Sequence, residues 1–195
     1  SAIDIASWDI LGKSVGLPVY QLLGGKCRER VRVFENVGGE TIDDRAASAK
    51  RSVTKGFTSL RTNPFFFGFE KRESTDNVTQ AIDLIAAIRE AVGYEIDLGV
   101  EIHRNLQPDE AITLAKALEP YRLKYYEDPL APRSLEAHEY IAKHIDIPMA
   151  LGERNYDIFQ FKDLIGRGIA AFVRTDLSLS GGFTQAKKVA AMAEA

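Results

Sequence analysis

The chain has 195 residues, 45% of them hydrophobic and 27% charged, with a formal net charge of −3. It is long enough to bury a sizeable core, and the small acidic excess excludes the basic patch that nucleic acid or an anionic membrane surface would require. No apolar run approaches the ~18 residues of a membrane span, no signal-peptide pattern opens the chain, and the single cysteine, Cys27, has no partner for an internal disulfide. These features predict a soluble, cytoplasmic protein with neither a nucleic-acid nor a membrane partner.

Ser1 to Leu11 reads as a helix entered in mid-pattern, with Ile3, Ala6, Ile10 and Leu11 on one side. Gly16 to Gly25 holds a short helix closed by two glycines. A regular alternation follows, with strands predicted at Val31–Phe34, 57–62, 95–102, 123–127, 147–152 and 169–176. Helices are predicted between and after them at 43–55, about 76–91, about 108–119, near 134–144, near 157–166 and from Thr184 onward. Six strands each followed by a helix predict a parallel sheet, because parallel neighbours require a crossover connection. The helical patterns at both termini lack start and stop signals, which predicts a segment of a longer polypeptide.

The chemistry gathers at Asp97 to Arg104, an apolar run that ends in Glu101 and His103. Side chains two apart at a strand end point to one face, so this carboxylate and imidazole are expected to project together. The acid recurs in Tyr126-Glu127-Asp128-Pro129 and in Leu151-Gly152-Glu153-Arg154, so that Glu101, Glu127 and Glu153 are evenly spaced and each closes an apolar run. A strand-end glutamate taken singly is more simply a solvated group or a helix cap. Three at one level repel one another and call for a cation, and all-oxygen ligation suits Mg²⁺. Convergence of three strand ends favours a (β/α)8 barrel over an open doubly wound sheet. Glu35 to Glu40 carries no G-x-G-x-x-G fingerprint, which weakens a dinucleotide-binding alternative. His138 and His144, on a predicted surface helix, are read as structural.

Ala2 to Ile10 with Leu22-Leu23-Gly24-Gly25, Leu118 to Arg122, Glu127-Asp128-Pro129, Gly152-Glu153-Arg154, and Asp176-Leu177-Ser178 with Gly181-Gly182 together resemble the enolase superfamily, mandelate racemase subgroup. Within it they resemble the galactonate- and mannonate-type sugar-acid dehydratases. The resemblance implies Mg²⁺ ligation by Glu101, Glu127 and Glu153, a general-acid role for His103, and an orienting role for Asp176 toward a histidine base that lies beyond residue 195. The lysine pair that some relatives carry on the second strand is replaced here by Arg61 and Asn63. Those two residues and Arg154 are candidates for binding substrate, with a surface salt bridge as the plain alternative for Arg61. The first ligand is usually Asp in that family, so Glu101 is one methylene longer than the pattern.

The expected architecture is therefore about six of the eight units of a (β/α)8 barrel over residues 26–195, preceded over residues 1–25 by the helical end of an α+β capping domain. The expected function is Mg²⁺-dependent dehydration of aldonic or aldaric acids, with a small-molecule sugar acid as partner and a homo-oligomeric state. The alternatives are a hydroxy-acid racemase or epimerase of the same superfamily, or a non-catalytic ligand-binding homologue.

Overall fold

The computed structural model describes residues 1–195. The elements in chain order are α1 (Ala2–Val15), α2 (Val19–Leu22), β1 (Glu35–Asn36), α3 (Ile42–Thr54), β2 (Ser59–Thr62), α4 (Ser74–Val92), β3 (Asp97–Glu101) and α5 (Pro108–Leu118). There follow β4 (Tyr125–Glu127), α6 (Leu135–Ala142), β5 (Met149–Leu151), α7 (Ile158–Gly166), β6 (Phe172–Val173) and α8 (Phe183–Glu194). The chain forms two compact units, Arg32–Ala150 and Ser1–Val31 together with Leu151–Ala195. No helix is long and apolar enough to cross a membrane.

In the Arg32–Ala150 unit the strands pair parallel and in sequence order, with Asn36 opposite Arg61, Arg61 opposite Gly99, Glu101 opposite Glu127, and Glu127 opposite Ala150. One face of this sheet presents Leu60, Leu98, Val100 and Tyr126 to Leu84, Ile85 and Ile88 of α4 and to Leu114 and Leu118 of α5, all of them essentially inaccessible. Each such Leu or Ile contributes about 1.5–3 kcal/mol on burial, which is why the helical and strand periodicities are so plain here. The helix starts are written locally. Thr41 and Asp44 form a reciprocal capping box at α3, and at α5, where Pro108 opens the first turn, the Glu110 carboxylate accepts from the Gln107 N–H at 2.9 Å.

Two buried arginines hold the loops. At the N-terminal ends of the strands, Arg89 donates to the carbonyls of Tyr121 (2.8 Å), Gly93 (3.0 Å), Ile96 (2.8 Å) and Arg122 (2.9 Å). Arg45 donates to the carbonyls of Gly39 and Phe65 and lies over the Phe66 ring. Burial lowers the pKa of both guanidinium groups from the ordinary arginine value.

In the Ser1–Val31 and Leu151–Ala195 unit, the Arg174 N–H donates to the Leu151 carbonyl at 2.9 Å, which lays β6 alongside the end of β5. Phe161, Leu164, Ile169 and Val189 form its small core. The helix α8 begins at Gly182, which has no side chain to cap the first turn. Asp4 of α1 does this instead, accepting from the Thr184 N–H at 3.1 Å, while the Trp8 Nε1–H donates to the Thr184 hydroxyl at 2.9 Å. The Thr184 hydroxyl, followed by the Thr184 and Phe183 N–H groups, holds the Asp4 carboxyl below its ordinary pKa against the opposing effect of partial burial.

Several expectations are corrected. The first strand is not Val31–Phe34 but Glu35–Asn36, because only these residues meet partners in β2, while Val31 and Val33 stay exposed. The last strand is confined to Phe172–Val173 rather than 169–176. The apolar side of α1 is not covered: Ile3 is 84% and Ile10 66% exposed. His138 lies on a helix read as surface yet is buried, its Nδ1 2.7 Å from the Ser134 carbonyl, whereas His144 is exposed beside Tyr140.

Candidate metal centre

Glu101 and Glu127 are the last residues of adjacent parallel strands and stand directly opposite each other. Their carboxylates offer oxygens within 4.8 Å of one another. Glu127 is fully buried and the Glu101 side chain is 16% exposed. Two like charges this close need a positive partner, and within this unit Arg61 supplies it. Arg61 Nη1 is 2.8 Å from Glu127 Oε1 and 3.2 Å from Glu101 Oε2, Nε donates to Asn36 Oδ1 at 2.9 Å, and the guanidinium lies 4.7 Å from the centre of the Phe34 ring.

The register explains how Arg61 reaches both acids. It is opposite Gly99, and so belongs to the side-chain layer beneath Glu101. Gly99 keeps that layer open, since a Cβ there would fall 2.2 Å from the Tyr125 ring.

The backbone past the acids is held in an uncommon conformation. His103, Arg104 and Asp128 all have positive φ, at 59°, 68° and 41°, which costs non-glycine residues of order 1–3 kcal/mol each. The cost is met by tertiary hydrogen bonds: the Ile102 N–H donates to the Glu127 carbonyl at 2.9 Å, Arg104 N–H to Asp128 at 2.7 Å and Leu106 N–H to Pro129 at 3.2 Å. Because β3 stops at Glu101, the strand alternation expected to align His103 with Glu101 does not extend to His103, which stands exposed in the following turn.

Glu153 belongs to the other unit, two residues past β5. Gly152, at φ 119°, turns the chain there, and a Cβ on it would meet the Arg174 carbonyl and the Phe161 ring, both at 2.8 Å. Glu153 shares a cleft of about 430 Å³ with Arg174, Thr175, Asp176 and Leu177. Asp176 Oδ1 accepts from the Ser178 N–H at 2.7 Å. Arg154 is exposed and approaches only its neighbour Glu153, at 3.8 Å. Asn63 Oδ1 accepts from the Phe65 N–H at 2.8 Å, so that oxygen serves its own turn.

Residues 44–195 match the family described as enolase C-terminal domain-like, and residues 1–24 match the mandelate racemase/muconate lactonizing enzyme N-terminal domain. The chain belongs to the mandelate racemase/muconate lactonizing enzyme family. Its parallel α/β fold is accordingly the barrel type of the enolase C-terminal domain. Among curated members of this family, the chain is 38% identical over its full length to a D-galactonate dehydratase of Pectobacterium atrosepticum and 37% identical to one of Variovorax paradoxus, covering 51% of each. It thus spans about half the length of the curated relatives it matches. A solved mandelate racemase/muconate lactonizing enzyme-like protein from Roseovarius sp. superposes with a TM-score of 0.90 at 33% identity, over 98% of this chain and 52% of that one.

Sequence reasoning had selected Arg61 without its partners. Asn36 and Phe34, which fix it, were not selected at all, because only the β1–β2 register places them beside it.

Proposed function

We propose that this chain carries the metal-binding half of a Mg²⁺-dependent sugar-acid dehydratase acting on an aldonic or aldaric acid. The observation that supports it most is the opposed, buried pair of Glu101 and Glu127 at neighbouring C-terminal strand ends, the position at which barrel enzymes keep their chemistry. The names of the curated relatives point the same way. The donor set fits the ion: carboxylate oxygens suit Mg²⁺.

In this reading Glu153 supplies the third ligand, and the division between cap and barrel falls near residue 25. A bound Mg²⁺ supplies Lewis-acid stabilisation of the negative charge that develops when the proton next to the substrate carboxylate is removed. Asp176 orients the base that removes this proton, and His103 gives a proton to the departing β-hydroxyl. Arg154 and the amide N–H₂ of Asn63 contact the sugar acid. The product is a 2-keto-3-deoxy acid and the state is homo-oligomeric.

The test is keto-acid formation by the full-length protein on a panel of aldonic and aldaric acids with and without Mg²⁺. Product on at least one acid, abolished by EDTA and by His103→Asn, is expected. Exchange of the α-proton without loss of water would place the protein among racemases instead, and no turnover with retained sugar-acid binding would make it a binding protein.

A further inference from the structure

Arg61 is tied to four groups of three kinds, two carboxylates, an amide oxygen and an aromatic ring. One nitrogen, Nη1, takes an oxygen from each acid, at 2.8 Å from Glu127 and 3.2 Å from Glu101. The other end of the guanidinium is held independently, by Asn36 Oδ1 on Nε and by the Phe34 ring. A single nitrogen about 3 Å from both carboxylates occupies the space beside the oxygens that would hold an ion. Mg²⁺ or Mn²⁺ prefers carboxylate oxygens at roughly 2.0–2.1 Å, so such an ion on this pair would meet a full positive charge at contact distance.

We propose that Arg61 is the resident counter-ion of the acid pair and that a divalent cation enters by displacing Nη1 from the carboxylates, while Asn36 and Phe34 retain the released guanidinium. This inference rests on the metal reading of the site and adds to it that metal affinity is set by competition with a side chain of the protein itself. The device has a physical purpose. Two adjacent acids, one of them fully buried, share a positive charge before metal arrives, which lessens their repulsion at the strand ends in the metal-free protein. The cost of this arrangement is weaker metal binding. Asn36 is then a positioning residue, which keeps the guanidinium near enough to return when the ion leaves.

The test uses full-length protein stripped with EDTA and titrated with Mn²⁺, the free ion being followed by electron paramagnetic resonance. Arg61→Met removes the charge while keeping an unbranched stem, and it is expected to tighten the Mn²⁺ Kd by roughly tenfold or more, since the charge-assisted bond to Glu127 and the ion pair with Glu101 no longer have to be surrendered. Arg61→Lys, whose ammonium is a point charge without a planar fork, is expected to fall between the two, and it stands in should the Met variant fail to fold. Asn36→Ala, which keeps the charge but loosens its anchor, is expected to change Kd by less than about threefold, well below the effect of removing the charged bonds. A folded Arg61→Met or Arg61→Lys protein with unchanged or weaker Mn²⁺ affinity would overturn the competition while leaving the metal site standing. No Mn²⁺ uptake by parent or variants at millimolar ion would overturn the metal reading and this inference with it.

Discussion

Arg61 and Arg89 lie at opposite ends of the same strands, the first partly buried and the second buried, yet one faces carboxylates and the other faces peptide carbonyls. The four acceptors of Arg89 are loop carbonyls that cannot leave, dissociate or exchange, so its bonds are permanent stitching of the α4–β3 and α5–β4 turns. The acceptors of Arg61 are anions that a stronger cation can claim. The same side chain thus serves stability at one end of the sheet and, in the reading proposed above, a replaceable contact at the other. This is the division that barrels make between their two faces.

Replacing Arg89 is the harshest way to test that contrast. Arg89→Met leaves four loop carbonyls without their charged donor and should cost about 3 kcal/mol or more, read as a shifted denaturation midpoint that added Mn²⁺ does not preferentially restore. A denaturation midpoint within experimental error of the parent's would refute the stitching role.

Gly99→Ala attacks the layer that gives Arg61 its room. The new Cβ falls 2.2 Å from the Tyr125 ring, so the ring or a strand must move, with a loss of about 2–3 kcal/mol, the upper part of the range for overpacked cores. The change should also disturb Mn²⁺ binding, because Gly99 is two residues before Glu101.

Arg61→Met in metal-free protein removes the guanidinium that sits 2.8 Å from the buried Glu127 carboxylate. Since the Arg61 and Glu101 side chains are 14% and 16% exposed, the expected loss is about 2 kcal/mol, less than the 3–5 kcal/mol typical of a fully buried pair. Unlike the Arg89 loss it should be largely restored by saturating Mn²⁺. A thermal melt of each variant with and without the ion separates the two arginines in one experiment.

The smallest effects lie away from both arginines. Thr41→Ala removes the capping box of α3 and should cost about 1 kcal/mol. The same box sets a pH signature. Bonds from the Thr41 hydroxyl, then the Thr41 N–H, hold the Asp44 carboxyl below its ordinary pKa. A carboxyl with a depressed folded-state pKa stabilises fully above its unfolded value of about 3.9, and that contribution disappears as pH falls through the lower folded value. Asp4 behaves alike at the start of α8. Melts of Asp44→Asn and the parent should therefore differ at neutral pH and converge in acid once the pH has fallen below the depressed folded-state value; a difference that persists there would show that the cap does not act through charge.

The sequence by itself determined the order of strands and helices, the parallel class, and the placing of Glu101 and Glu127 at the ends of adjacent strands. These follow from local chemistry: apolar periodicities of 2 and 3.6, capping residues such as Thr41, and turn glycines such as Gly152. The limits of that reading are as physical as its successes. Val31 and Val33 look like a strand because β-branched residues suit one, but a strand exists only where a neighbour accepts its hydrogen bonds, and that neighbour was available to Glu35 and Asn36. His103 was expected to share the face of Glu101, and the turn that begins after Glu101 ends the alternation on which this depended. The partners of Arg61 were invisible for a related reason. Asn36, Glu101 and Glu127 are far from it in the chain, and only the register of four parallel strands decides which side chains share a layer. That register is a tertiary property, set by how the buried face of the sheet packs against α4 and α5 and not by any spacing along the chain.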